Sequence, residues 1–101
     1  MANLRITIAK WKTDLTSKDG QQLIRQMEQV GVPFLLHLPG FVRCQIIVPD
    51  AHTTGHLEEW ESGDQCTAGT QALMRWVQDS GLAQHLDGQP QSYDGTIRVA
   101  S

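Results

Sequence analysis

Hydrophobic periodicity switches from two to about 3.6 and back again, twice along the chain, and few folds accept that order of elements. Residues 4–11 alternate Leu4, Ile6 and Ile8 against Arg5, Thr7 and Ala9, the period of a half-buried strand. A polar turn at 13–17 follows, where Thr16 or Ser17 can cap a helix. Leu23, Met27, Val30 and Phe34, with Ile24, Leu35 and Leu38 beside them, form a helical stripe. Gly31 and Pro33 interrupt it, so a break and one further turn from near Pro33 are expected. Pro39-Gly40 turns the chain into a second strand over 41–48, with Val42, Cys44, Ile46 and Val48 on one face. A loop at 49–53 precedes a third strand over 54–61. Ser62, with Gln65 three residues on, has the form of a capping box. The helix behind it aligns Cys66, Gly69, Leu73, Trp76 and Val77. Gly81 ends or bends that helix, 82–86 adds a turn, and Asp87-Gly88 closes it. The last strand is expected over 93–100, with Ile97 and Val99 in phase.

This order, βαββαβ, is the ferredoxin-like arrangement of the α+β class. Right-handed crossovers put both helices on one face of a four-stranded antiparallel sheet. The other face is left uncovered, and Trp11, Phe41 and Ile47 are expected on it, which calls for a second copy of the chain. A chain of 101 residues has room for one domain, residues 1–101. With 40% hydrophobic and 19% charged residues it is not a disordered tail. No apolar run approaches the roughly 18 residues of a membrane helix, and the start has no signal-peptide stretch, so a cytoplasmic protein without a membrane partner is expected. Net charge is −3 and the eight basic residues are scattered, which argues against a nucleic-acid partner. Cys44 and Cys66 are far apart and outside any zinc spacing, the pattern of free buried thiols.

Two short motifs resemble the antibiotic biosynthesis monooxygenase family: Leu38-Pro39-Gly40-Phe41 after the first helix and Glu59-Trp60-Glu61-Ser62 at the end of the third strand. The resemblance implies a homodimeric α+β barrel. It also implies a pocket between helices and sheet for a small aromatic molecule, phenolic or quinol-like, oxidised without a cofactor. Some relatives degrade haem, and others have no known activity. The family's pocket Trp falls on Trp60, its Asn position holds His56, its Tyr position holds Cys66, and Arg75 is the arginine of the second helix. Trp60, Cys66 and Arg75 are thereby expected to bind substrate. The late His of the haem-degrading relatives has no counterpart, and Trp76 stands at a different offset from their Trp.

Strand three alternates Gly55, Leu57 and Glu59 against His56, Glu58 and Trp60. Leu57 argues for the first set inward and the larger indole of Trp60 for the second; the resemblance also points Trp60 inward, which brings two titratable groups to the core side. His56 and Glu58 are then the candidate catalytic pair, acting as bases toward a phenol, with Trp60 as an aromatic wall. The alternatives are that the two pair with each other or cap a dimer contact, in a domain that binds a metabolite or only dimerises. His37 at a helix end reads as a cap. His52 and His56 lack a third ligand, so no metal site is expected, and no phosphate-cradling glycine motif points to a nucleotide or flavin.

Overall fold

The computed structural model describes residues 1–98. The elements are β1 (Asn3–Lys10), α1 (Lys18–Gln26), a π-helical turn (Met27–Gly31), α2 (Val32–Leu36), β2 (Phe41–Asp50), β3 (Thr53–Trp60), α3 (Gly63–Asp79), a 3-10 turn (Leu82–His85) and β4 (Gln91–Thr96). The sheet order is β2-β3-β1-β4, with all three pairings antiparallel. This is the α+β, ferredoxin-like arrangement. Strand β4 begins earlier than its apolar residues suggest; Val99 and Ala100 of the expected strand lie outside the described residues.

Local chemistry accounts for the helix boundaries. The Ser17 hydroxyl accepts from Gly20 N–H at 3.1 Å, and the Ser62 hydroxyl accepts from Gln65 N–H at 3.2 Å. The helical run does not break at Gly31 and Pro33; it continues with helical backbone and widens into the π turn that ends at Gly31. Val32 N–H reaches back to the Met27 carbonyl, five residues away, and a short helix with Pro33 in its first turn follows. Gly31 gives close packing at this turn. A Cβ there would lie 3.1 Å from the Trp76 ring, so the missing side chain is what lets α3 approach.

Two apolar clusters join helices to sheet. One gathers Ala9, Trp11, Leu15, Leu23, Met27 and Leu82, with Trp76 and Val77 against it. The other gathers Leu35, Trp60 and Cys66, with Leu38, Phe41 and Leu73 against it. Trp11 and Phe41 therefore belong to the helix side and not to the uncovered face. Trp11 shares the phase of Ala9. Phe41 pairs with Trp60 and meets its ring edge-on, centroids 5.3 Å apart. Ile47 does lie on the open face, half exposed at 50%, packed over Gly55. Strand β2 shifts register between Phe41 and Arg43 and again between Ile47 and Asp50. These shifts break the expected alignment: Cys44 and Ile46 face the helices, whereas Val42 and Val48 are exposed.

Candidate active site

The strand phases decide what faces the helices. In β1 it is Arg5, Thr7, Ala9 and then Trp11; in β3 it is Thr54, His56, Glu58 and Trp60. The more apolar set of β1, Leu4, Ile6 and Ile8, faces away. Between the two core clusters the polar residues of this phase floor a cavity of about 340 Å³. Its apolar walls come from Met27, Gly31, Leu35, Leu73, Trp76 and Val77. Arg5 and Glu58 are direct cross-strand partners, as are Thr7 and His56.

Each polar group on the floor has a definite state. Arg5 donates from one terminal nitrogen to Thr70 Oγ1 at 2.5 Å and from the other to Ser92 Oγ at 2.9 Å. Two hydroxyls thus hold the guanidinium in place without neutralising it. Glu58 is 2% exposed and its Oε1 has no hydrogen-bond partner among the described residues. Burial pushes its carboxyl above the ordinary range, against a smaller opposing pull from the Arg5 charge. For His56, burial lowers the pKa to about 4, and the Arg5 charge adds to the effect, so the imidazole is neutral at pH 7. Its Nε2 lies 2.9 Å from Thr54 Oγ1. The Cys44 thiol on the same wall is pushed up to about 11 by burial and by the Glu58 charge, which keeps it protonated and unreactive.

The structure therefore brings His56 and Glu58 to one cavity, and it takes three expected substrate contacts elsewhere. Trp60 shares their phase but is wholly buried beside Phe41, with its ring over Gly69, and it does not line the cavity. Cys66 is buried in the same cluster behind it. Arg75 is exposed on the outer side of α3. The aromatic side chains that line the cavity are Trp76 and Trp11, and its arginine is Arg5. His37 Nδ1 bonds the Pro33 carbonyl at 2.9 Å, which caps α2. His52 Nδ1 lies 3.0 Å from the Trp11 carbonyl and fastens the loop before β3. Among the described residues no three His, Cys, Asp or Glu side chains converge as a ligand set.

The His56 shift has a measurable consequence. A histidine whose folded pKa is depressed binds fewer protons when folded, so stability falls as pH drops from 6.5 to about 4. The ceiling is about 3 kcal/mol for a shift of this size. Glu58, shifted upward, acts in the opposite direction, and a His56→Gln variant retains it. The change in urea midpoint on going from pH 7 to pH 4.5 should therefore be less unfavourable, or more favourable, in the variant than in the wild type. Equal pH slopes would place His56 in a solvated site instead.

No protein-family model matches the sequence, and no curated protein matches it either. Solved structures do match. A monooxygenase from the gene ActVA-Orf6 of Streptomyces coelicolor, solved with nanaomycin D, is 17% identical and superposes with a TM-score of 0.75, over 99% of this chain and 90% of that one. SnoaB, a cofactor-independent oxygenase from Streptomyces nogalater, is 11% identical with a TM-score of 0.72, over 98% and 95%. A dimeric ferredoxin-like protein from an uncultured marine organism is 14% identical with a TM-score of 0.70, over 99% and 90%. The fold is that of the antibiotic biosynthesis monooxygenases. In this chain the space between helices and sheet is floored by Arg5, His56 and Glu58.

Proposed function

We propose that the chain is a homodimeric, cofactor-independent oxygenase acting on a phenolic or quinol-like aromatic molecule. The observation that carries this reading is a buried carboxylate oxygen without a partner, beside a restrained guanidinium, in an otherwise apolar cavity. A flat ring fits between Trp76 and the sheet, with its hydroxyl toward Glu58. Glu58 takes the phenolic proton and Arg5 stabilises the resulting anion. The electron-rich phenolate reduces dioxygen: one oxygen atom becomes the new quinone carbonyl and the other leaves as water. The fold shared with SnoaB and the Streptomyces coelicolor enzyme supports this class of reaction. Free thiols at Cys44 and Cys66 suit a reducing, cytoplasmic setting.

The test is oxygen uptake by the purified chain with a panel of phenols and hydroquinones, in the presence of EDTA. Stoichiometric oxygen consumption with quinone formation is expected. Saturable binding without uptake would instead make the domain a binding module, the reading favoured by the engagement of His56 with Thr54.

Homodimerisation rests on the open face of the sheet, where Ile6, Ile8, Ile47, Leu57 and Tyr93 share one side, with Ile47 50% and Tyr93 67% exposed. Light scattering should give about twice the chain mass of 11.2 kDa, and Ile47→Asp should shift it toward the monomer. A wild-type monomer at micromolar concentration overturns the dimer.

A further inference from the structure

Thr54 is completely buried and its hydroxyl sits between two side chains that carry nitrogen. The Trp11 indole Nε1–H donates to Thr54 Oγ1 at 2.9 Å. On the other side Thr54 Oγ1 lies 2.9 Å from His56 Nε2. An indole N–H can only donate, so Trp11 occupies one acceptor position of the hydroxyl. The hydroxyl still has a single hydrogen to place, and Thr54 itself is closed off from the surface. If His56 carried its proton on Nε2, Thr54 would accept twice and its own hydrogen would be left unused. A buried donor left in that state costs about 1–3 kcal/mol. Every group is satisfied when Trp11 donates to Thr54 and Thr54 donates to an unprotonated Nε2.

We propose that Trp11 and Thr54 are positioning residues that hold the imidazole proton of His56 on Nδ1, so that the cavity meets His56 as a hydrogen-bond donor and selects ligands presenting an acceptor oxygen there. The proposal rests on the reading of this cavity as a ligand site, but the tautomer itself does not depend on any turnover. It also divides the floor by polarity. Glu58 Oε1 accepts, whereas Arg5 and His56 donate. A matching ligand carries a hydroxyl and, on the same edge, a carbonyl-type or ionised oxygen. A neutral histidine side chain in water favours the proton on Nε2; here the hydrogen bond at Nε2 sets the opposite form.

The experiment is two-bond proton–nitrogen correlation NMR at pH 7 on uniformly nitrogen-15-labelled full chain, with the His56 ring assigned by its loss in His56→Gln. In the wild type, Nε2 should show the shift of an unprotonated ring nitrogen and Nδ1 that of a protonated one. Thr54→Ser should keep this pattern. Thr54→Val should move the proton to Nε2, and Trp11→Phe should give a mixture of the two forms. A wild-type spectrum with the proton on Nε2, or an unchanged spectrum in Thr54→Val, overturns the proposal. Should Thr54→Val fail to fold, the wild-type, Thr54→Ser and Trp11→Phe spectra still decide it. A chain that consumes no oxygen with any phenol but shows Nδ1 protonation would refute the oxygenase and leave the tautomer standing.

Discussion

Glu58→Gln is expected to lower turnover of any accepted phenol by about 10²–10⁴-fold, the usual contribution of a positioned base. Its effect on stability should run the other way. A carboxyl with a raised folded pKa costs the fold stability as pH rises past its unfolded value of 4.5, and the full cost applies above the folded value. Glutamine keeps the shape and removes the charge, so at pH 8 the variant should unfold at higher urea than the wild type. That advantage should shrink as the pH falls toward 4.5. Circular dichroism in urea at the two pH values, beside oxygen-uptake rates, gives both readings. Turnover within a few-fold of wild type would remove Glu58 from the chemistry. A variant less stable at pH 8 would mean that Glu58 is paired and not orphaned.

The second large effect concerns Trp60 and Gly69. Trp60 is fully buried, and a Cβ added at Gly69 would run into its six-membered ring. Trp60→Ala should cost about 3–5 kcal/mol, a substantial part of the stability of a domain this size. Gly69→Ala should cost about 1–3 kcal/mol through overpacking. Because the two share one contact, Trp60→Phe should make room and recover part of the Gly69→Ala loss. The Trp60 Nε1 has no hydrogen-bond partner among the described residues, so the change to Phe forfeits no such bond. Strictly additive losses in urea denaturation would show that the ring and the glycine are not in register.

The element order was legible because the periods of two and 3.6 survive in a single sequence, and because Ser17, Gly31, Pro33, Gly40 and Ser62 punctuate it. The phase of β3 was legible too, since an indole of that size needs a core. The phase of β1 was not. Alternation states that two faces differ, not which one meets the helices, and here the more apolar set faces away. Arg5 was missed for that reason. A signal existed: Arg5 and Thr7 in β1 match Glu58 and His56 in β3 at neighbouring cross-strand positions, one complementary polar set on two central strands. Trp60 was carried to the ligand by its motif, yet burial against Gly69 makes it a wedge beneath the cavity. Trp76, aligned with Leu73 and Val77 on the second helix, lines the cavity where Gly31 lets its ring come close.

The π-helical turn at Met27–Gly31 carries one residue more than an α-helix of the same rise needs, and both its end residues border the cavity. Deleting a single residue there would restore ordinary helical hydrogen bonding. The wider turn absorbs its extra residue, so the helix beyond it, Leu35 included, would keep nearly its present orientation while the side chains inside the turn shift against the cavity. The bore of this chamber is therefore written as a chain length, not as a side chain. Loss of one codon would reshape the chamber locally at Met27 and Gly31 and leave the helical segments on either side in place, while point substitutions would only trim its lining.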